Sequence, residues 1–140
     1  MTSNGKDKLK NLIHGILCTA GKMPKVKLAK MVLFSEIEYF NKTNESLTGL
    51  YYVRLKNGPV VAFFDEVLDA NKGQLWNKNE EDITLYETNK TTKQFIYSSI
   101  GSCDLPPVIK ELLDNVVGKY GNKTGTQLSM ESHSLPAWKY

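Results

Sequence analysis

Residues Leu28–Leu68 read LAKMVLFSEIEYFNKTNESLTGLYYVRLKNGPVVAFFDEVL, and the first third of this stretch constrains the fold most. At about 100° per residue, Leu28, Ala29, Val32, Leu33, Ile37, Tyr39 and Phe40 share one broad helical arc. Lys27, Lys30, Glu38 and Asn41 lie opposite. A helix this apolar belongs at the centre of a core. Glu36 falls inside the apolar arc, beside Val32, Leu33 and Phe40. A carboxylate there must accept hydrogen bonds or take up a proton.

The chain on either side supplies partners for that helix. Leu9, Leu12, Ile13, Ile16 and Leu17 form an amphipathic stripe on a first helix, Lys8 to Ala20, closed by Gly21 as its C-cap. Residues 1–7 read as disordered, and His14, next to the stripe, as a half-buried packing residue. Met23-Pro24 leads into the central helix, which ends near Phe40. A polar loop follows to Ser46, then a Leu-Thr-Gly turn and a strand, Leu50 to Leu55. On that strand Tyr51, Val53 and Leu55 share one side. Pro59, after Asn57-Gly58, is placed at the first turn of a third helix with Val60, Phe63, Phe64, Val67 and Leu68 inward.

Beyond Gly73 the pattern turns β-like. Gln74–Trp76, Ile83–Tyr86 and Gln94–Ser98 are strand candidates, with Asn77–Asp82 a charged turn and Glu87–Lys93 a polar loop. A fourth helix starts at Leu105-Pro106-Pro107 with Asp104 as N-cap and runs to Tyr120. Thr124 and Gln127 have capping-box spacing for a short fifth helix. The expected fold is α+β and predominantly helical: about five helices with a small antiparallel β element in the middle of a single 1–140 domain.

The 140 residues suffice for one domain with a real core. No apolar run approaches the length of a membrane span. The lysines ahead of the first apolar patch faintly resemble a signal peptide, but helical spacing and the lack of a small-residue cleavage site favour an amphipathic helix in a cytoplasmic protein. Cys18 and Cys103, far apart and without metal spacing, read as two buried thiols in a reducing compartment. Residues 1–30 carry Lys6, Lys8, Lys10, Lys22, Lys25, Lys27 and Lys30 against Asp7 alone. That basic third could face an acidic protein or nucleic acid, or be a solvated surface.

The order of motifs resembles the Panacea domain of SocA-like antitoxins and phage-associated proteins. Leu28, Lys30, Met31, Val32, Leu33, Phe34 and Glu36 fit its L-x-K-h-h-h-h-x-[D/E] helix, where h is apolar. Thr48-Gly49 fits its T-G turn, and Gly58-Pro59-Val60 its G-P-V segment, followed by Phe64. Leu128-Ser129, Ser132-His133 and Pro136-Ala137-Trp138 fit its tail. The chain departs in having Glu36 where the family usually has Asp, and Leu55-Lys56-Asn57 where an aromatic usually precedes G-P-V. The resemblance implies an antitoxin that binds and neutralises a cognate protein toxin, in some members as an adaptor delivering the toxin to a protease.

No glycine-rich phosphate loop, His-x-x-x-His, Cys-x-x-Cys or G-x-S-x-G is present. No catalytic, metal or cofactor site is therefore expected, and no cofactor. Glu36 is expected to anchor the C-terminal segment by accepting from His133 or the Trp138 indole. The same pair, read as a His–carboxylate dyad, is the residual enzyme reading. Phe34, on the polar stripe between Lys30 and Glu38, is a candidate partner-binding residue together with Lys27 and Lys30, unless another element of the chain covers it. The alternative function is a helix-turn-helix-like DNA-binding regulator using the lysine-rich N-terminal third, although its second helix is too apolar to lie in a groove.

Overall fold

The computed structural model describes residues 2–55, 58–85, 88–124, 127–128 and 130–131. Its elements run α1 (Thr2–Ala20), β1 (Lys22–Pro24), α2 (Lys25–Thr43), β2 (Tyr52–Leu55), β3 (Gly58–Val61), α3 (Phe64–Ala70), β4 (Trp76–Leu85), β5 (Lys90–Ser99) and α4 (Pro107–Tyr120). The architecture is α+β, with four helices among the described residues rather than five. The capping box nevertheless forms: the Thr124 amide donates to Gln127 Oε1 at 2.9 Å and the Gln127 amide to Thr124 Oγ1 at 3.1 Å. Leu128, just beyond, is buried in the core.

α2 is the centre of the molecule. All nine residues from Leu28 to Glu36 are buried, so the helix is covered on every side there. α1 packs on it through Leu9, Leu12, Ile13, Ile16 and Leu17, as their spacing predicts. α4 packs on both through Leu112, Leu113, Val116 and Tyr120. α1 ends as expected, with Gly21 at φ 92° and its amide on the Leu17 carbonyl at 2.7 Å. It begins earlier than expected, since residues from Thr2 onward are already helical where disorder was anticipated.

α4 accounts for the misread stripe of α2. Phe34 is buried and stacks on Tyr120 with ring centroids 4.3 Å apart. Lys27 Nζ donates to the Gly121 carbonyl. The face taken as solvated is therefore where a second helix lies. Phe40 shows the reverse: it belongs to the apolar arc but is exposed, one turn past the end of the covered segment.

Two antiparallel sheets flank the helices, one ordered β1-β5-β4 and one made of β2 and β3. The short β1 carries too little pattern to be read as a strand. It pairs Met23 with Tyr97 on β5. β4 and β5 pair from Trp76↔Ser99 to Leu85↔Lys90. Asn77–Asp82, expected to be a charged turn, is the body of β4. Its polarity reports solvent rather than a reversal, because the strand is exposed along most of its length and is held by cross-strand contacts such as Lys93–Glu80. Trp76 anchors the root of this hairpin, fully buried, with Nε1 donating to the Leu68 carbonyl at 3.0 Å.

Three further expectations are corrected. Gly58-Pro59-Val60 does not open a helix but forms β3, paired from Tyr52↔Val61 to Leu55↔Gly58. Pro59 suits a strand of a two-stranded sheet, where a missing N–H is tolerated, and α3 begins only after Phe63. Asp104 does not cap α4, whose N-cap is Pro106 with no side-chain bond. The two cysteines are not separate thiols: Cys18 and Cys103 form a disulfide with Cα atoms 6.2 Å apart. The cysteine argument for a reducing compartment is thereby withdrawn.

Candidate functional site

The β2–β3 hairpin is held against α2 by two side chains of that helix. Glu36 is 7% exposed, and both its oxygens are used. Oε2 accepts the Leu47 amide at 2.9 Å. Oε1 accepts the Thr48 amide at 3.1 Å and also the Thr48 hydroxyl. Thr48 Oγ1 in turn accepts the Leu50 amide at 3.2 Å, and Gly49 turns the chain at φ 76°. The loop ahead of β2 is thus wound around one carboxylate.

Lys30, six residues earlier on α2, fixes the other strand. It is 1% exposed, and its Nζ donates to the Pro59 carbonyl of β3 at 3.2 Å. Burial lowers its pKa from the ordinary lysine value. Tyr52 reaches inward beside Glu36. Its hydroxyl is buried with no hydrogen-bond partner among the described residues, and burial, then the negative charge of Glu36, raises its pKa well above the ordinary value. Lys30, Glu36, Thr48, Gly49 and Pro59 are distant in sequence yet form one scaffold.

What this scaffold presents is apolar. Tyr51, just ahead of β2, is 65% exposed, and Val53 and Leu55 on β2 are 42% and 51% exposed, alternate positions of one extended segment. The Tyr51 ring meets Phe63 edge-on at 6.1 Å, and Lys6 Nζ sits 4.6 Å above the Phe63 ring. Leu55 and the half-exposed Val26 of α2 border an open groove of about 320 Å³ whose floor includes Ala29, Lys30, Val60 and Phe64. Lys25 and Asp65 close one side as an ion pair at 2.7 Å. Exposed aliphatic and aromatic side chains on a braced hairpin suit contact with another protein surface.

The structure redistributes the residues singled out in the sequence. Leu28 and Phe64 are core, Val60 is half-buried beside the groove, and Gly58 and Pro59 are buried in β3. Both Glu36 oxygens accept from the loop at Leu47 and Thr48, donors that the sequence reading did not name. His133, Pro136 and Trp138 lie outside the described residues. Phe34 and Lys27, proposed as partner contacts, face α4 instead, and Lys30 faces β3.

Much of the basic N-terminal third is likewise engaged within the chain. Lys6 pairs with Glu66 at 2.9 Å and Lys10 with Asp7 at 3.9 Å, besides Lys25, Lys27 and Lys30. The exposed stripe Tyr51–Val53–Leu55 was visible as one side of a strand. The signal that singles it out is the run of large apolar groups on a segment whose other side carries another tyrosine. Val26 carried no signal of its own.

A sequence model of the family described as antitoxin SocA-like, Panacea domain, matches residues 28–139. That span covers α2 from Leu28 onward and every later element, including both members of each scaffold contact. No curated protein and no solved structure matches the chain. Among the described residues, no helix is long and apolar enough to cross a membrane.

Proposed function

Since the chain belongs to the SocA-like Panacea antitoxin family, we propose that it neutralises a cognate protein toxin by binding it through the outward face of the β2–β3 hairpin. The observation that carries this reading is the apolar stripe Tyr51, Val53 and Leu55, left exposed on a hairpin fixed by Glu36 and Lys30. A rigid surface gives up less ordering entropy on association than a mobile one. The family is generally non-catalytic, and a binding role asks nothing more of these residues. The partner is a toxin encoded beside this chain and met in the cytoplasm, where a protease can receive the toxin if the chain also acts as an adaptor.

Co-expression with the product of the adjacent gene tests this reading. Rescue from growth arrest and co-purification of the two chains support it. Arrest that persists, with no complex recovered, overturns it. If toxin levels fall in a protease-proficient host but hold steady in a protease-deficient one, delivery to a protease accompanies binding. The alternative, a DNA-contacting regulator, is weakened by the internal engagement of Lys6, Lys10, Lys25, Lys27 and Lys30. It requires salt-sensitive retention on DNA, because phosphate contacts release counterions.

A further inference from the structure

The Cys18–Cys103 disulfide has a third donor beside it. His14 and Cys18 are four residues apart on α1 and so share one face of the helix. Cys103 reaches the same place from the segment between β5 and α4. One ring nitrogen of His14 and the two sulfurs all lie within 4.8 Å of one another, and all three residues are half-buried. Zinc, with bonds of about 2.0–2.3 Å in tetrahedral geometry, spans donors about 3.5–3.8 Å apart. The cluster is within small side-chain adjustments of that arrangement.

The surroundings also suit an ion. His14 Nε2 lies 3.4 Å from the Ile100 carbonyl. A ring protonated on Nε2 donates to that carbonyl and leaves the Nδ1 lone pair for a metal, the usual way a ligating imidazole is oriented. The Ser99 hydroxyl is 3.2 Å from Cys18 Sγ. Its hydrogen, now directed to the Gly101 carbonyl at 3.2 Å, can turn to a thiolate. An open cleft of about 760 Å³ borders both cysteines and Asp104, giving ion, water and reductant a route in.

We propose that the reduced form of this chain binds a zinc-class divalent ion through His14, Cys18 and Cys103, with water in the fourth position, and that the disulfide is its metal-free, oxidised form. Which form dominates in the cell rests on the cytoplasmic reading above, since cytoplasmic thiols are kept reduced; the binding itself does not. The balance is simple. A phosphine and water convert the disulfide to two thiols and a phosphine oxide. Metal binding then replaces the two thiol protons, which go to solvent. Three borderline-to-soft donors select zinc or cobalt over magnesium or calcium.

The test is a cobalt(II) titration of the full chain, reduced with a phosphine under anaerobic conditions, followed by zinc competition. The proposal expects a thiolate-to-cobalt charge-transfer band that saturates at one equivalent, is bleached by zinc, and is absent from the oxidised protein. His14→Ala should weaken metal binding at least about tenfold while still losing both free thiols on reoxidation, which a purely structural disulfide does not predict. Cys103→Ser, outside any helix, should abolish the band if His14→Ala does not fold. A reduced parent without the band, or a folded variant of either kind that titrates like the parent, overturns the proposal.

Discussion

Glu36 on α2 and Thr48 in the loop before β2 are joined twice, by the Thr48 amide at 3.1 Å and by the Thr48 hydroxyl, onto the same carboxylate oxygen. The other oxygen takes the Leu47 amide. A charge that would be costly on an apolar helix face is thus satisfied by backbone, and the same bonds fix where the hairpin starts. Glu36→Ala leaves two amides and a hydroxyl without their acceptor. It is expected to cost about 3 kcal/mol or more, read by denaturant melts. Glu36→Gln, which keeps one acceptor oxygen, should cost less. Equal stability of all three proteins would show that these bonds do not hold the loop.

Tyr52 behaves oppositely. Its buried hydroxyl has no partner among the described residues, so Tyr52→Phe removes an uncompensated polar group and should stabilise the fold by about 1 kcal/mol. The sign with pH follows from its raised pKa. Above the ordinary value of 10.0 the unfolded phenol ionises while the folded one stays protonated. The unfolded state then binds fewer protons, and stability falls as pH rises. Thermal melts of parent and Tyr52→Phe across that range should diverge, with the variant losing less.

The contrast between these neighbours shows what was legible. A carboxylate within an apolar arc announces that it needs donors, and the demand was met. The donors that the structure shows, the Leu47 and Thr48 amides eleven and twelve residues on, were not legible, and the expected ones, His133 and Trp138, lie outside the described residues. Helix periodicity located α1, α2 and α4 because each buries a stripe. It failed for Lys30 and Phe34, since a helix covered all round has no polar face to read. Gly58-Pro59-Val60 is ambiguous locally, and only pairing with Tyr52–Leu55 makes it a strand. The Cys18–Cys103 contact joins segments 85 residues apart, and nothing in their spacing encodes it. The exposed β2 stripe depended on which face α2 would cover, a tertiary fact.

Lys30 supplies a second pH signature. Burial lowers its pKa from 10.5, so between the lowered value and 10.5 the unfolded state binds more protons. Stability contributed by this residue therefore rises with pH across that window. Lys30→Met keeps the stem's packing and removes the titration, so the rise should vanish, while the Pro59 carbonyl loses its donor. Melting temperature measured against pH for both proteins checks this. Double variants with Tyr52→Phe separate the two opposed alkaline trends.

The most direct measurement is calorimetric titration of the adjacent gene's purified toxin with the parent chain and with Val53→Asp. Val53 is exposed on β2 and absent from the buried core, so the variant should melt within about 0.5 kcal/mol of the parent. A charge placed at the centre of the stripe should weaken binding at least about tenfold. An equally stable Val53→Asp protein that binds the toxin as tightly as the parent would contradict the hairpin as the binding face, and a parent that binds no toxin would contradict the function itself.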